Sequence, residues 1–204
     1  MELDLKALKS GDERAFEQFV LQYEKKIYNI ALKYTSSESA ACDISQEVFL
    51  KIYKSISTFK ELSSLSTWVY RITYNVCIDY LRREKRMSEV SLFVDGADDE
   101  DYLMELPDTS SSPELVMDKT ILREVISSSI EKLSAEHRSM IILRDLQGLS
   151  YAQIAKITGC EEGTVKSRIN RAREKLRTIL RSDGNFSEYS QSKLLEEVAE
   201  GALQ

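Results

Sequence analysis

Apolar residues in the first half of the chain recur at steps of three and four, which is the spacing of a helix with one buried face. This pattern predicts a first helix from Ala15 to Lys33 and a second over residues 40–57. After a loop at Phe59–Ser66, a third helix is predicted from about Thr67 to Arg86, with Ser66 or Thr67 as its N-cap. Amphipathic helices that each bury one face indicate a small helical bundle.

The second half of the chain shows the same periodicity in shorter segments. Amphipathic helices are predicted at Ile121–Leu133 and Ala135–Leu146. Ser150 and Gln153 then form a capping box at the start of a short helix, and a glycine-containing turn leads into a long basic helix that ends near Leu180. This order is the arrangement of a DNA-binding helix-turn-helix. The fold class that we expect is therefore all-α, with two small helical domains.

The predicted second helix has a leucine within its polar face. An ordinary solvated surface explains the charged residues of this face, whereas a docking surface with an apolar centre and a charged rim also explains the leucine. The face consists of Asp43, Gln46, Glu47, Leu50, Lys51 and Lys54.

A polar stripe follows one side of the predicted third helix and ends in a basic cluster. A basic helix C-terminus complements the helix dipole, which is one explanation of the cluster. The other is a site for a nucleic-acid backbone, since aromatic residues and a serine-rich loop lie nearby in the sequence. The stripe comprises Arg71, Asn75, Asp79, Arg82 and Arg86.

The last predicted helix separates its residues into three sides. Its apolar side is expected to face the core. Short polar groups point away from that side, and basic residues flank them, as reading a DNA groove requires. The outward residues are Ser167, Asn170, Arg171 and Glu174, with Lys166, Arg173 and Arg177 on one flank and Arg168 and Lys175 on the other.

Charge is distributed unevenly along the 204 residues, whose formal net charge is −6. Residues 1–86 have a net charge of +2, residues 87–119 of −9, residues 120–181 of +5 and residues 182–204 of −4. We therefore expect domains at 1–86 and 115–181, a flexible acidic linker at 87–114 and an acidic tail at 182–204. The linker is either a solvated spacer or a mimic of nucleic acid.

Composition argues against catalysis and against a metal centre. The three cysteines lie 35 and 83 residues apart, and His137 is the single histidine. No zinc ribbon, paired-histidine site or catalytic triad fits these residues. We expect no enzyme activity, no metal and no cofactor, and incidental thiols rather than a redox sensor. The chain has neither a membrane-length apolar run nor a secretory signal, so a cytoplasmic protein without direct membrane insertion is expected.

Two separate motifs resemble one known family. The segments Asp43–Tyr53 and Ser66–Ile72, followed by Asn75 and Ile78–Arg83, resemble conserved region 2 of the extracytoplasmic-function sigma factors of bacterial RNA polymerase. Region 4 of the same family is similar to two further segments, Leu149–Ala155 and Glu162–Arg173. The resemblance covers roughly residues 12–86 and 115–180.

The resemblance implies a role for each surface. The second helix would dock on the clamp helices of the polymerase large subunit through Asp43, Gln46, Glu47, Leu50 and Lys51. The loop and third helix would capture a flipped base and hold the melted −10 strand through Phe59, Lys60, Ser63, Ser64, Ser66, Thr67, Trp68, Arg71, Asn75, Arg82, Arg83 and Arg86. The last helix would read the duplex −35 element through Thr164, Lys166, Ser167, Arg168, Asn170, Arg171, Arg173 and Lys175.

The resemblance also implies partners: core RNA polymerase, including its flap, promoter DNA and an anti-sigma factor. The two promoter elements lie about 50 Å apart, so about 26 linker residues would have to be extended to span them. We expect the acidic linker to lie in a basic polymerase channel, and the free protein to bind promoters weakly.

This sequence departs from the family pattern at Leu62, Leu65, Ser134 and Cys160. The alternative is a helix-turn-helix regulator that acts without polymerase, which would explain only residues 120–181.

Overall fold

The computed structural model describes residues 3–91 and 123–182, and no strand occurs within them. The expected all-α class is confirmed. In the first domain, α1 is Leu5–Lys9, α2 is Glu13–Thr35, α3 is Glu38–Ser55 and α4 is Leu65–Ser91. A 3₁₀ turn at Ile56–Thr58 ends the segment that the sequence predicted as helical to residue 57.

Side-chain caps begin the first three helices. Asp4, Asp12 and Ser37 each accept a hydrogen bond from a backbone N–H in the first turn of α1, α2 and α3. Such caps satisfy donors that the helix itself leaves unpaired. The connection between α2 and α3 is only Ser36 and Ser37, so the two helices are forced to pack as antiparallel neighbours.

The start of α4 differs from the prediction. Ser64 is its cap, because the Ser64 hydroxyl oxygen accepts from the Thr67 N–H at 3.2 Å and the Ser64 carbonyl accepts from the Trp68 N–H at 3.1 Å. The expected cap at Ser66 or Thr67 is therefore wrong. Several serine and threonine residues in this stretch are suitable N-caps, so the sequence does not single out Ser64. Thr67 is buried in the core, which the spacing of apolar residues could not predict.

One apolar cluster holds the first domain together. It is built from the inner faces of α2, α3 and α4. Leu8 of α1 and Phe59, in the loop before α4, complete it. Phe16, Phe19 and Tyr23 form a chain of ring contacts along α2, with neighbouring centroids 5.9 and 4.7 Å apart. Because α2, α3 and α4 share this one cluster, the exposed sides of α3 and α4 have fixed positions relative to each other.

The second domain consists of two helices, α5 and α6, followed by the predicted helix-turn-helix, α7 and α8. Helix α5 covers the described residues 123–131, followed by α6 at Ala135–Ile141, α7 at Tyr151–Thr158 and α8 at Glu162–Ser182. The sequence predicted a single helix from Ala135 to Leu146. Instead the α-helix ends at Ile141 and continues as a π turn, Ile142–Leu146, in which the Gln147 N–H donates to the Ile142 carbonyl.

The two domains are in contact. Helix α4 packs against α7 and, to a smaller extent, α6. Tyr70 and Tyr74 of α4 contact the apolar clusters of both domains, while Ile142 of the second domain lies in the first-domain cluster. The predicted linker and tail lie outside the described residues apart from their edges. Within the described ranges, no helix is long and apolar enough to cross a membrane.

Candidate nucleic-acid and docking interface

The outer face of α3 presents one apolar side chain among polar ones. Asp43, Gln46 and Lys51 are exposed, and 58% of Leu50 is accessible to solvent. Glu47 accepts from the Lys51 ammonium at 2.8 Å and pairs with the Arg83 guanidinium of α4 at 3.5 Å. The hydrogen bond from Lys51, with Arg83 adding to it, lowers the pKa of Glu47. This face therefore has an apolar centre and an ionised rim.

Tyr53 belongs to this exposed face, which sequence reasoning missed. The helical spacing of the apolar residues over 40–57 predicts Tyr53 on the buried side together with Ile52 and Ile56, but 54% of Tyr53 is exposed. Its ring meets Phe16 edge to face, with the centroids 5.0 Å apart. The exposure of Tyr53 could have been predicted from its position, because a residue three positions after Leu50 lies next to it on the helix surface.

Two of the residues predicted to contact the −10 strand turn inward. Phe59 is buried against Trp68, with the ring centroids 5.2 Å apart. Thr67 is also buried, and its hydroxyl lies 2.8 Å from that of Ser64. In this conformation both side chains pack beneath the loop and are not accessible to a DNA strand.

The rest of the loop is held open toward solvent by contacts at its base. Glu61 has a positive φ of 58° and pairs with the Lys9 ammonium at 2.9 Å. The hydroxyls of Tyr23 and Ser66 lie 2.9 Å apart. Lys60, just before the first support, is exposed, and Leu62, between the two supports, is 82% exposed.

The polar stripe on α4 is solvent-accessible along its whole described length. Arg71 and Asn75 are exposed next to the loop. Farther along, an open groove of about 400 Å³ lies between α3 and α4. Three arginines and two acidic residues line this groove: Arg82, Arg83, Arg86, Glu47 and Asp79. The groove thus joins the charged rim of α3 to the basic end of α4.

The helix-turn-helix has the local geometry that the sequence predicted. Ser150 and Gln153 form a reciprocal capping box, with distances of 3.2 and 2.8 Å. Gly159 ends α7 with φ = 70°, a conformation that residues with a Cβ rarely adopt. The tight turn orients α8 so that Val165, Ile169 and Ala172 are buried.

Seven of the eight predicted −35 residues are exposed on α8. They are Thr164, Lys166, Ser167, Asn170, Arg171, Arg173 and Lys175. Two of the eight, Arg168 and Arg173, have partners within the domain. Arg168 is half-buried and lies 4.0 Å from the Glu136 carboxylate, and Arg173 forms a two-point ion pair with Asp145. The hydrogen bonds to Asp145 raise the pKa of Arg173.

The three thiols and the single histidine differ in their burial. Burial raises the pKa of the Cys77 thiol to about 12, while Cys42 is exposed and Cys160 partly buried. Burial, with Lys175 nearby, lowers the pKa of His137. In the part of the chain that the structure describes, no three metal-ligating side chains converge.

Comparison with known proteins supports both domains. A family model described as sigma-70 region 2 matches residues 19–87, and one described as sigma-70, region 4 matches residues 123–176. The chain is 37% identical over 172 residues to the ECF RNA polymerase sigma-E factor of Escherichia coli strain K12, across 82% of this chain and 87% of that protein. The protein of the same name from Haemophilus influenzae is 36% identical over 168 residues, across 82% and 88%.

Solved structures agree with these matches. The sigma factor RpoE of Bartonella quintana, in complex with the anti-sigma factor NepR, matches with a TM-score of 0.63 and 28% identity, covering 82% of this chain and 98% of that one. CnrH, in complex with the cytosolic domain of CnrY, shares the fold with a TM-score of 0.61 at 22% identity, covering 88% and 96%. Two family matches in chain order, and relatives this similar over most of the chain, show that this protein belongs to the extracytoplasmic-function (ECF) sigma factors of the sigma-70 family.

Proposed function

We propose that this protein docks on core RNA polymerase and directs it to promoters by melting a −10 element and reading a −35 element. As a member of the ECF sigma family it is a transcription initiation factor that works with core polymerase. The observation that carries the finer assignment is the exposed Leu50 within the charged face of α3, next to the arginine-lined groove of α4. One continuous surface can then contact both polymerase and DNA.

The docking contact is centred on Leu50 and Tyr53. Together they form an apolar patch on neighbouring turns, bordered by Asp43, Gln46 and Lys51. Burying a side chain of this size against a partner contributes about 1.5–3 kcal/mol. The charged rim would set the orientation of the partner helices more than the affinity.

The −10 contact is made by the loop before α4 and by the exposed stripe of α4. Capturing a flipped base costs a few kcal/mol of unstacking, so the receiving loop has to be held in place beforehand. The Lys9–Glu61 and Tyr23–Ser66 contacts supply that support. Lys60, Ser63 and the stripe residues are left to contact the strand, with arginines toward the phosphates.

The −35 contact is made by the outer side of α8. Ser167, Asn170 and Arg171 face solvent at its centre, which suits base edges in the major groove. Lys166 and Lys175 flank them and suit phosphates.

An anti-sigma protein is the further partner that we propose. One structural neighbour, the sigma factor RpoE of Bartonella quintana, was solved in complex with the anti-sigma factor NepR. For this chain the partner would have to cover the docking or DNA surfaces described above.

The alternative of a helix-turn-helix regulator acting without polymerase is not favoured. It leaves the region 2 match and the exposed apolar patch on α3 unexplained.

Run-off transcription tests the proposal. Core polymerase from the source organism, supplied with a pool of that organism's promoters, is assayed alone and with the protein. New sequence-selective starts are expected, and they would reveal the −10 and −35 sequences together. No stimulation, with the protein retained on promoter DNA without polymerase, would favour the regulator instead.

A matched pair of variants makes the test specific. Leu50→Ser is expected to abolish most of the stimulation. Leu21→Ser is the control, because Leu21 is 65% exposed on α2 and belongs to no proposed contact. Equal losses in the two variants would contradict the docking role of α3.

A further inference from the structure

A small cavity lies between α1 and the end of α3. Three parts of the first domain enclose it: the end of α1 with its turn at Leu8–Gly11, Phe16 of α2, and Tyr53, Ile56 and Ser57 at the end of α3 and in the 3₁₀ turn. Its volume is about 230 Å³. Typical small-molecule pockets measure roughly 300–1,000 Å³, so this cavity suits a single side chain better than a free ligand.

The cavity has an apolar floor and a polar rim. Leu8 and Ile56 line it and are buried, whereas Ser10 and Ser57 line it and are exposed. Water gains few hydrogen bonds from an apolar floor, so an apolar group that displaces this water gains free energy. An apolar centre within a polar rim is the pattern of a contact between proteins.

The charge at the rim favours an uncharged occupant. Lys9 is the charged residue among those that line the cavity. Its ammonium lies 2.9 Å from the carboxylate of Glu61, in the loop before α4. A phosphate or an acidic peptide would have to compete with Glu61 for Lys9. An apolar side chain has no such competitor.

The cavity continues the docking face of α3. Gln46, Leu50, Tyr53 and Ser57 follow one another at steps of four, three and four, which places them in a row along one side of α3 and the turn after it. Tyr53 belongs to both surfaces, because it is part of the exposed apolar patch and also lines the cavity. A partner helix that lies along this row therefore reaches the cavity.

We propose that the cavity between α1 and the 3₁₀ turn is an anchor pocket for core RNA polymerase. It takes one large apolar side chain, of the size of leucine, methionine or phenylalanine, from the polymerase segment that docks on α3. This inference rests on the proposed function, because it adds a pocket, and with it α1, to the docking contact of α3. Side chains buried in such pockets contribute a large share of the affinity of an interface.

Filling the pocket from its rim tests the proposal. Ser57→Trp places an indole at the mouth of the pocket, and we expect at least tenfold weaker binding to core polymerase, measured by titration of immobilised polymerase with the full-length protein. Thr58→Trp is the matched control and is expected to bind like the parent. Thr58 is exposed on the same 3₁₀ turn but does not line the pocket.

Crosslinking distinguishes an occupied pocket from a simple clash at the edge of α3. A photoreactive benzoylphenylalanine replaces Ser10, which lines the pocket from the side of α1. We expect it to crosslink to an apolar residue of the polymerase large subunit, within the segment that also crosslinks to a benzoylphenylalanine at Lys54 of α3. The same group at Thr58 is expected to give no crosslink.

Far-UV circular dichroism and thermal melting check that each variant is folded. Ser10→Trp fills the pocket from the opposite side and serves, with the same expected loss of affinity, if Ser57→Trp does not fold.

The absence of a crosslink from Ser10 to polymerase would overturn the proposal, and so would a Ser57→Trp protein that binds like the Thr58→Trp control. A crosslink from Ser10 to a second copy of this chain without polymerase would also overturn it, because the occupant would then be another molecule of the same protein.

Leu50→Ser separates a failure of the pocket from a failure of the proposed function. If Leu50→Ser weakens polymerase binding while Ser57→Trp does not, the docking role of α3 stands and the pocket is refuted. If Leu50→Ser also binds like the parent, both are refuted.

Discussion

Arg173 and Asp145 hold α8 to the π turn that precedes α7. The Arg173 Nε donates to Asp145 Oδ2 at 3.1 Å, and a second guanidinium nitrogen donates to Oδ1. A two-point pair fixes the plane of the guanidinium as well as its position. Arg173 therefore orients the recognition helix, and in this conformation its guanidinium is already occupied.

The salt dependence of DNA binding separates Arg173 from a phosphate contact. Each phosphate contact that is lost lowers the slope of log K against log salt by about 0.9. Lys175, which is exposed on the flank of α8 and is proposed to contact phosphate, is expected to behave in this way when replaced by alanine. We expect Arg173→Ala to weaken binding with the slope unchanged, measured by fluorescence anisotropy with a 20-base-pair duplex at low salt.

A double variant provides the control for this prediction. In an Asp145→Ala background, the added Arg173→Ala change is expected to have little further effect on thermal stability, because the pair is already broken. A slope reduced by about one unit in Arg173→Ala would show that the arginine leaves Asp145 to contact DNA.

Tyr53 is expected to contribute to polymerase binding through its ring. Tyr53→Ala removes an exposed aromatic group from the docking patch, and aromatic groups at interfaces often dominate affinity. We expect roughly tenfold weaker binding to core polymerase. Tyr53→Phe keeps the ring and is expected to bind normally in the same titration. If both variants bind like the parent, the patch is confined to Leu50.

The Tyr23 hydroxyl is expected to matter for the −10 loop. Tyr23→Phe removes the contact with Ser66 and should lower the free energy of unfolding by about 1 kcal/mol. It should also reduce promoter opening, measured by permanganate footprinting, while polymerase binding stays unchanged. Tyr28→Phe, on the same helix, is the control. A Tyr23→Phe protein that opens promoters fully would mean that the loop needs no such support.

Cys77 predicts a specific loss of stability at high pH. Its pKa is about 12 in the folded protein against an ordinary value of 9.0, so the folded state retains the proton longer than the unfolded state. This contribution is complete below pH 9 and is lost as the pH rises toward 12. Relative to Cys77→Ala, the free energy of unfolding should fall by about 1.4 kcal/mol between pH 8 and pH 10.

Urea denaturation of the two proteins across this pH range measures the difference, since other titrating groups, including Tyr34, are common to both. Parallel curves would mean that the Cys77 thiol is accessible to water in the folded state.

Local signals in the sequence were sufficient for most helices of this protein. The steps of three and four that predict α2 and α3, the capping box at Ser150 and the glycine at 159 all act through neighbouring residues. The outer side of α8 could be predicted for the same reason, because a helix whose apolar side is known has its opposite side fixed by 100° per residue.

Other features were decided by contacts between residues far apart in the sequence. Phe59 turns inward because Trp68 and the first-domain cluster accept it, and Thr67 is buried with its hydroxyl next to that of Ser64. Tyr53 remains 54% exposed although its ring meets that of Phe16. The π turn lets Asp145 meet Arg173, which lies 28 residues later. No short-range pattern contains that information.

The sequence by itself therefore determined most of the helices, the two-domain plan and the family, since helix periodicity and short motifs are local properties of a chain. Only the tertiary structure decided which polar residues remain free for partners and how the domains meet. Those outcomes depend on which side chains compete for the same buried space, as Arg138 does at the end of α2. That competition involves residues more than 100 positions apart.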